Sequence, residues 1–447
     1  MPRKLSRLVQ PPRWAKWVYG FLFILFATHL LLILKYVPDI PIMDEWDIWY
    51  AWDTKGFWTW LFDRHNEHMV VPTRLHMYIS TLLFGAHPTF LVFTSFFFYG
   101  ALLFSCFQFF RWAVPERAPA TMAAFMIFLL SALPIHNHIS GFHSQFHFVL
   151  LFLMLALPRL FGELLTRMDC VWGVGLLALM LVSFSTGPAQ ALATLAVFAL
   201  YWWKKRKDTR SFRRAIGVCL FVGFLTGLWL AGHHRLAYHP LPANPFTTAF
   251  NSFFVNLVSF GFGLDTQNTT VGCFTLLFIV IPAFGLLFSS HNDGRSLAIL
   301  AGIGAIFGAI ATIAYGRGNS GPEFAKGSRY GEIALLLIPL VLCAWSRWLN
   351  VSHVTYGRLA SAFWCVLFIF FLNSWTARGY RIRYRDSLEG IECLKQRPAD
   401  GGFICQSLYP RSLRGHFDRI SRGNAAFLRG LGKDASSANT TSQEHAW

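Results

Sequence analysis

Residues 14–36, WAKWVYGFLFILFATHLLLILKY, form the first of several long apolar runs in this chain of 447 residues. A helix needs about 20 apolar residues to cross a bilayer, where only helices and closed barrels satisfy their backbone hydrogen bonds. The run is continuous rather than alternating, so it predicts a membrane-spanning helix. It is longer than the core of a signal peptide and no small-residue cleavage site follows it, which indicates a retained anchor.

The composition extends this prediction to the whole chain. Hydrophobic residues make up 54% and charged residues only 14%, whereas soluble domains carry about 25% charged residues. The predicted fold class is therefore all-α, a polytopic membrane protein. The net charge of +17 is attributed to cytoplasmic loops, where Lys and Arg collect. No basic-aromatic RNA motif or zinc-ribbon spacing occurs, so we expect membrane lipids, and no nucleic acid, as partners.

The distribution of charge predicts about 11 transmembrane helices. The N-terminal segment and residues 204–214 are strongly basic and are placed in the cytoplasm, so the loop after the first helix lies outside. Residues 69–88 are predicted as a juxtamembrane helix on the outer face. Residues 1–375 then form the transmembrane catalytic domain, with a first outer loop at 37–87, and residues 376–447 form a polar tail. Other predicted spans include about 88–110, 119–135, 147–165 and 359–375.

Two parts of this topology stay open. Residues 171–203 are short for two crossings, and we predict two short helices whose connecting turn dips into the membrane. Counting spans places the tail outside, whereas its first four arginines favour the inside. Cys393 and Cys405, both in the tail, are the one pair of cysteines placed for a disulfide.

The loop that follows the first helix concentrates the acids of the chain. Residues 38–74, PDIPIMDEWDIWYAWDTKGFWTWLFDRHNEHMVVPTR, carry seven carboxylates between Asp39 and Glu67. The predicted topology places the other chemistry-bearing motifs on the same outer face. Charged and histidine-rich groups at membrane depth are costly and mark functional sites. We therefore expect the outer loops to meet at one cavity that opens to the outer leaflet.

An enzyme on this face has no ready nucleotide supply, and its usual activated donor is a sugar on polyprenyl phosphate. Transfer of that sugar needs a carboxylate to take the proton of the acceptor hydroxyl, and cations to hold the departing phosphate. The first loop offers acids, and the later outer loops offer Arg and Lys.

The motif MDEWDIWY, residues 43–50, resembles the first outer loop of the GT-C superfamily of integral-membrane glycosyltransferases. Protein O-mannosyltransferases and lipid A aminoarabinose transferases are members. The resemblance implies that Asp44 is the catalytic carboxylate and that Glu45 is a second acid, which orients the acceptor or a metal. The juxtamembrane helix, the number of spans and an outer tail also fit this family. The segment HNEH, residues 65–68, has no counterpart there, so the substrate stays open.

Candidate binding residues come from several polar segments. A helix through residues 65–68 would place His65 and His68 on one face, where we favour substrate contact over a metal held by Glu45 and His68. The histidine-rich turn at 136–145 either binds sugar hydroxyls or anchors the chain at the interface. The cationic outer loops in the second half of the sequence either bind phosphate or contact anionic lipid surfaces. Residues 185–188 form either a helix break with free amides or a tight turn. The predicted substrate-binding residues are His65, Glu67, His68, Arg74, His138, His143, Gln145, His234, Arg235, Arg317, Lys326, Arg329 and Tyr330.

These elements predict an inverting glycosyltransferase that moves a sugar from a polyprenyl-phosphate-linked donor to a glycan, lipid or protein acceptor. No cofactor is assigned from the sequence, and a divalent metal is left open. We expect the protein in a bacterial inner membrane, with its site on the periplasmic face. The alternative is a transporter or flippase of a lipid-linked or anionic solute. It ranks second because the charges cluster in outer loops and no internal repeat is evident.

Overall fold

The computed structural model describes residues 15–49, 51–115, 121, 134–233, 241–264, 269–288, 293–349, 376–396, 405 and 408. Most of these residues are helical and almost none lie in a sheet, which confirms the all-α fold class. In chain order the elements are α1 Ala15–Tyr36, α2 Glu45–Ile48, α3 Ala51–Lys55, α4 Phe57–Phe62, β1 Arg64–His65, β2 His68–Met69, α5 Val71–Phe84, α6 Pro88–Ala113, α7 Ile135–Ile139, α8 Ser144–Leu160, α9 Arg167–Leu181, α10 Gly187–Lys204, α11 Thr209–Ala231, α12 Thr248–Gly261, α13 Thr269–Phe288, α14 Gly294–Arg317, α15 Ser328–Leu335, α16 Leu337–Trp348 and α17 Thr376–Lys395, with short 3₁₀ turns at Gly141–His143, Gly318–Ser320 and Pro322–Lys326.

Among the described residues, six helical segments are long and apolar enough to cross a membrane, and the chain is an all-α membrane protein. The apolar part of α1, Leu22–Tyr36, is shorter. Helices are confirmed where spans were predicted at 14–36, 88–110 and 147–165. The spans predicted at 119–135 and 359–375 fall outside the described residues, except for Thr121, so the total of 11 stays a prediction. The six segments are Pro88–Ala113, Gly141–Leu160, Thr209–Ala231, Thr270–Phe288, Gly294–Ser320 and Arg329–Trp348.

Contacts between loops that are distant in sequence show that the connections of the long helices gather at two ends of the bundle. At one end the amide of Val71 donates to the carbonyl of Val182 at 2.9 Å. A side-chain nitrogen of Arg64 donates to the carbonyl of Trp229 at 3.1 Å at the same end. This end, which holds the first loop and the ends of α9, α11 and α14, is called the first-loop end below.

The opposite end gathers the other set of connections. Arg347, at the end of α16, pairs with Asp293, which caps the start of α14, at 2.7 Å. The same arginine donates to the carbonyl of Ala113, the last residue of α6, at 3.0 Å. The basic segment 204–214 lies here too, because Arg214 donates to the carbonyl of Leu165 at 2.7 Å. The acidic loop and this basic segment therefore lie at opposite ends, as the predicted topology requires.

The prediction of two short helices between residues 171 and 203 is confirmed. α9 has 15 residues and α10 has 18, and at about 1.5 Å per residue they measure roughly 22 and 27 Å. They meet closely where α10 begins, because a Cβ on Gly187 would lie 2.3 Å from the carbonyl oxygen of Met180. Only glycine allows so close a backbone approach.

The described part of the tail packs at the first-loop end. The ring of Tyr384, on α17, lies 5.8 Å from the ring of Tyr36, at the end of α1. Cys393 and Cys405 form the disulfide that the sequence left open, with an S–S distance of 2.05 Å.

Candidate functional site

Asp44 stands at the start of α2, directly after Met43, whose φ of 49° is left-handed. Oδ2 of Asp44 lies 3.8 Å from Nε2 of His65, and the Asp44 side chain is 37% exposed. Burial alone would raise the pKa of this carboxyl, but interactions with His65, His143 and Arg329 outweigh burial and lower the pKa to about 2. Asp44 is therefore an accessible carboxylate that is ionised at neutral pH.

Glu45, its neighbour, has the opposite environment. The side chain is 1% exposed, and its Oε1 accepts hydrogen bonds from the hydroxyl of Ser140 at 2.9 Å and the amide of Phe142 at 3.2 Å. Oε2 accepts a third bond from the amide of Ile42 at 3.1 Å. Burial raises the pKa of Glu45 to about 7, although these hydrogen bonds oppose the rise. Glu45 thus joins the first loop to the turn at 140–142, and its contact with an acceptor stays a prediction.

Residues 65–68 form a tight hairpin, so the helix considered for this segment is wrong. β1 and β2 pair antiparallel, with His65 opposite His68. Asn66 turns the chain at a φ of 52°, a left-handed conformation that asparagine tolerates better than most residues. The two histidines are still neighbours, but across a hairpin rather than along a helix face.

Glu67 ties this hairpin to a late loop. A side-chain nitrogen of Arg317, at the end of α14, donates to Oε1 of Glu67 at 3.3 Å, and Nε2 of His68 lies 3.7 Å from the same oxygen. The His68 ring packs on Phe184, with centroids 4.6 Å apart. Burial lowers the pKa of His68 to about 3 despite the opposing effect of Glu67, so this histidine is neutral at neutral pH.

Arg329 lies at the start of α15 with its backbone anchored. Its carbonyl accepts a hydrogen bond from Nδ2 of Asn137 at 3.1 Å, and its guanidinium lies 5.1 Å from the ring of Tyr330. Tyr330 is buried. Since Arg329 is one of the groups that lower the pKa of Asp44, the predicted base and the predicted phosphate ligand lie within electrostatic reach of each other.

His143 lies close to this group as well. It is one of the groups that lower the pKa of Asp44, and its Nδ1 pairs with the carbonyl of His136 at 2.9 Å. The structure therefore brings together the first loop, the turn at 136–145 and the loops around 317 and 329, as expected from the sequence.

The side chain of Arg74, on α5, points towards the residues that precede this helix in the first loop. Its guanidinium donates to the carbonyls of Trp60 and Asp63 and lies 5.6 Å from the Trp60 ring. The side chain is buried. These contacts give Arg74 a role in holding the loop, and its predicted contact with substrate has no geometric support.

His138 and Gln145 are buried inside the helix bundle. The His138 ring lies 4.6 Å from the ring of Tyr99 and 5.3 Å from that of Phe96, both on α6. These contacts place His138 among core side chains rather than beside Asp44. Of the remaining predicted residues, His234, Arg235 and the side chain of Lys326 lie outside the described part of the chain.

A buried polar group behind Arg329 was not predicted from the sequence. Oε1 of Glu332 pairs with Nδ1 of His147 at 2.7 Å, and Oε2 accepts from Nδ2 of Asn137 at 2.9 Å. Glu332 and His147 are fully buried. Because Asn137 also donates to the Arg329 carbonyl, the group connects the core to the start of α15. The available signal was a lone carboxylate that opens the apolar stretch EIALLLIPLVL, residues 332–342.

One cluster of metal-ligating groups occurs among the residues that the structure describes. Asp44, Asp47 and His65 each offer a ligand atom, and these atoms lie within 4.8 Å of one another. Two carboxylates and an imidazole suit a divalent ion such as Zn²⁺ or Mn²⁺. The ligand pair considered from the sequence, Glu45 and His68, does not belong to this cluster, because both Glu45 oxygens already accept hydrogen bonds.

Comparison with protein-family models and with curated proteins found no match to this chain.

Proposed function

We propose that this chain is a membrane glycosyltransferase that uses a polyprenyl-phosphate-linked sugar at the noncytoplasmic, first-loop end of the bundle. The supporting observation is an ionised, accessible Asp44 within electrostatic reach of Arg329. A carboxylate within electrostatic reach of a cation offers the two groups that glycosyl transfer from a phosphate needs. A second cation, Arg317, lies at the same end.

In the proposed reaction the acceptor hydroxyl attacks the anomeric carbon from the face opposite the phosphate. The new glycosidic bond forms as the bond from carbon to the phosphate oxygen breaks, and the phosphate leaves with the electron pair. Asp44 takes the hydroxyl proton, and Arg329 stabilises the charge that develops on the phosphate. Attack from the opposite face inverts the anomeric configuration.

A carboxylate with a pKa of about 2 is a weak base when the site is empty, because base strength follows pKa. His65 holds this pKa down most, and His143 and Arg329 contribute smaller effects. A phosphate that pairs with Arg329 neutralises the guanidinium and so raises the pKa of Asp44. Donor binding would therefore strengthen the base where it is needed.

A divalent metal is an optional part of the proposal. Asp44, Asp47 and His65 would hold the ion, and the ion would supply charge against the phosphate. Elemental analysis of the purified protein tests this part of the proposal. About one equivalent of metal in the wild-type protein, lost in Asp47→Asn, would support it.

The test is transfer by purified protein from a panel of polyprenyl-phosphate sugars, measured as released polyprenyl phosphate. Asp44→Asn should abolish transfer while expression is kept, and Arg329→Ala should raise the KM for the donor. Asp63→Asn is the matched control, since Asp63 lies in the same loop in a part-exposed pair with Lys55. Full activity of Asp44→Asn would refute the role of this residue.

One observation favours the second candidate, a transporter or flippase of a lipid-linked or anionic solute. The pair of Glu332 and His147 is fully buried within two helices that are apolar enough to cross the membrane. Ionisable pairs at such depth occur along transport pathways. Movement of a labelled polyprenyl-phosphate lipid across liposomes by purified protein, without a new covalent product, would favour this candidate.

A further inference from the structure

The C-terminal helix α17 packs against the elements that carry the candidate site. Tyr380 of α17 faces His29 of α1, with ring centroids 6.1 Å apart. Gly379 approaches Ile135 of α7, since a Cβ there would lie 3.2 Å from an Ile135 side-chain carbon. Ser387 and Glu45 line the same small pocket. The tail helix thus covers the buried side of the loop that carries Asp44.

Beyond α17 the disulfide holds the chain against the end of that helix. Cys405, bonded to Cys393 near the end of α17, is buried, and so is Leu408. The amide of Leu408 donates to the carbonyl of Cys405 at 2.8 Å. Leu408 packs so tightly on Gly390 that a Cβ on the glycine would lie 2.4 Å from Cγ of the leucine. The disulfide and this contact together set the position of Leu408.

Leu408 in turn holds the residue before Asp44. The amide of Met43 donates to the carbonyl of Leu408 at 2.7 Å. Met43 has a φ of 49°, and such a left-handed conformation costs a non-glycine residue about 1–2 kcal/mol. A residue of this kind keeps its conformation only where its surroundings impose it. The hydrogen bond from the tail is one such constraint.

We propose that Leu408, fixed by the Cys393–Cys405 disulfide, is a positioning residue. It holds the backbone conformation at Met43 and so orients the Asp44 side chain. We further infer that this disulfide assigns the first-loop end of the bundle to an oxidising compartment, because disulfides persist in such compartments. Closing the bond removes two protons and two electrons from the two thiols. A disulfide-bearing oxidant takes them up by thiol–disulfide exchange. The positioning role depends on the proposed function, whereas the compartment does not.

The compartment is tested by differential alkylation in intact cells, followed by mass spectrometry of the peptides that contain Cys393 and Cys405. Both thiols should resist a maleimide until a membrane-impermeant phosphine reductant is added from outside. Labelling without reductant, or protection that a membrane-permeant reductant removes and the impermeant one does not, would overturn the assignment. Cys219, a half-buried free thiol on α11, is the control whose labelling the reductant should not change.

The positioning role is tested with the double variant Cys393→Ser/Cys405→Ser and with reduced wild-type protein. Because displacement of a reacting group by about 1 Å can cost up to roughly 100-fold, we expect kcat to fall by about 10- to 100-fold. The KM for the donor should stay within about twofold, since Arg329 is anchored separately by Asn137. Reductant should not slow the double variant further, and Cys219→Ser should behave as wild type.

Hydrogen exchange of a peptide covering residues 38–48 gives a readout that does not need activity. Reduction should speed exchange there in wild type, because the Met43 amide loses its acceptor. If wild type transfers sugar but neither kcat nor exchange changes on reduction, the positioning role is wrong. If wild type transfers no sugar from any donor in the panel, the proposed function fails, and exchange alone then decides whether the tail holds Met43.

Discussion

Substitution of Glu45 by glutamine should remove a pH dependence from the stability of this protein. The pKa of Glu45 rises from 4.5 to about 7 in the folded state, with burial as the largest cause. Between these values the folded state binds more protons than the unfolded state, so stability falls as pH rises. At about 1.36 kcal/mol per pH unit, a difference of about 2.5 amounts to about 3 kcal/mol lost between pH 4.5 and 7.

The assay is thermal unfolding in mild detergent, followed by tryptophan fluorescence from pH 4.5 to 8. Unfolding entropies of about 2.1 cal/mol/K per residue translate about 3 kcal/mol into roughly 3 °C for a chain of this length. The midpoint of wild type should therefore drop by about that amount relative to Glu45→Gln across the window, and then level off.

Asp44→Asn is the matched control, because the sign for Asp44 is opposite. Its pKa is lowered to about 2, so its contribution is present above pH 4 and is lost only as pH falls towards 2. Its difference from wild type should be flat between pH 4.5 and 8. A constant midpoint difference between wild type and Glu45→Gln over the same range would show that the pKa of Glu45 is not raised in the folded protein.

Two further substitutions test the packing around the site. Glu332→Gln should lower the thermal midpoint, since loss of a buried hydrogen bond costs about 1–3 kcal/mol. The exposed Glu323→Gln should not lower it, and equal midpoints would count against a structural role for the buried pair of Glu332 and His147. Gly187→Ala should cost about 1–3 kcal/mol, because its Cβ would meet backbone of Met180 at 2.3 Å. Gly223→Ala is the control, because nothing lies within 4 Å of a Cβ at that position, and it should be neutral or stabilising by up to about 1 kcal/mol. A similar loss of stability in both glycine variants would refute the close approach at Gly187.

Much of the fold could be predicted because it depends on local composition. The run that ends at Tyr36 predicted α1, and the crowded stretch at 171–203 was correctly divided into two helices. Alternation of helix direction then places the acidic loop and the basic segment 204–214 at opposite ends. That consequence follows from counting helices and needs no knowledge of packing.

The candidate site was predicted in outline, but the environment of each residue was not. Asp44 and Glu45 are adjacent acids in the sequence, yet one is accessible and ionised and the other is buried with a pKa near 7. Arg74 was expected to face a substrate and instead holds backbone carbonyls. Residues 65–68 were too few to show a period, so the left-handed turn at Asn66 could not be foreseen.

The amino-acid sequence alone predicts a helical membrane protein with its acids gathered after the first helix, because bilayer thickness and backbone hydrogen bonding leave few alternatives for long apolar runs. Packing of the helices brings Arg317 to Glu67, Arg329 within electrostatic reach of Asp44, and the Leu408 carbonyl to the Met43 amide. Such contacts join residues that are far apart in the chain. They depend on how helices pack against one another, which no local pattern records.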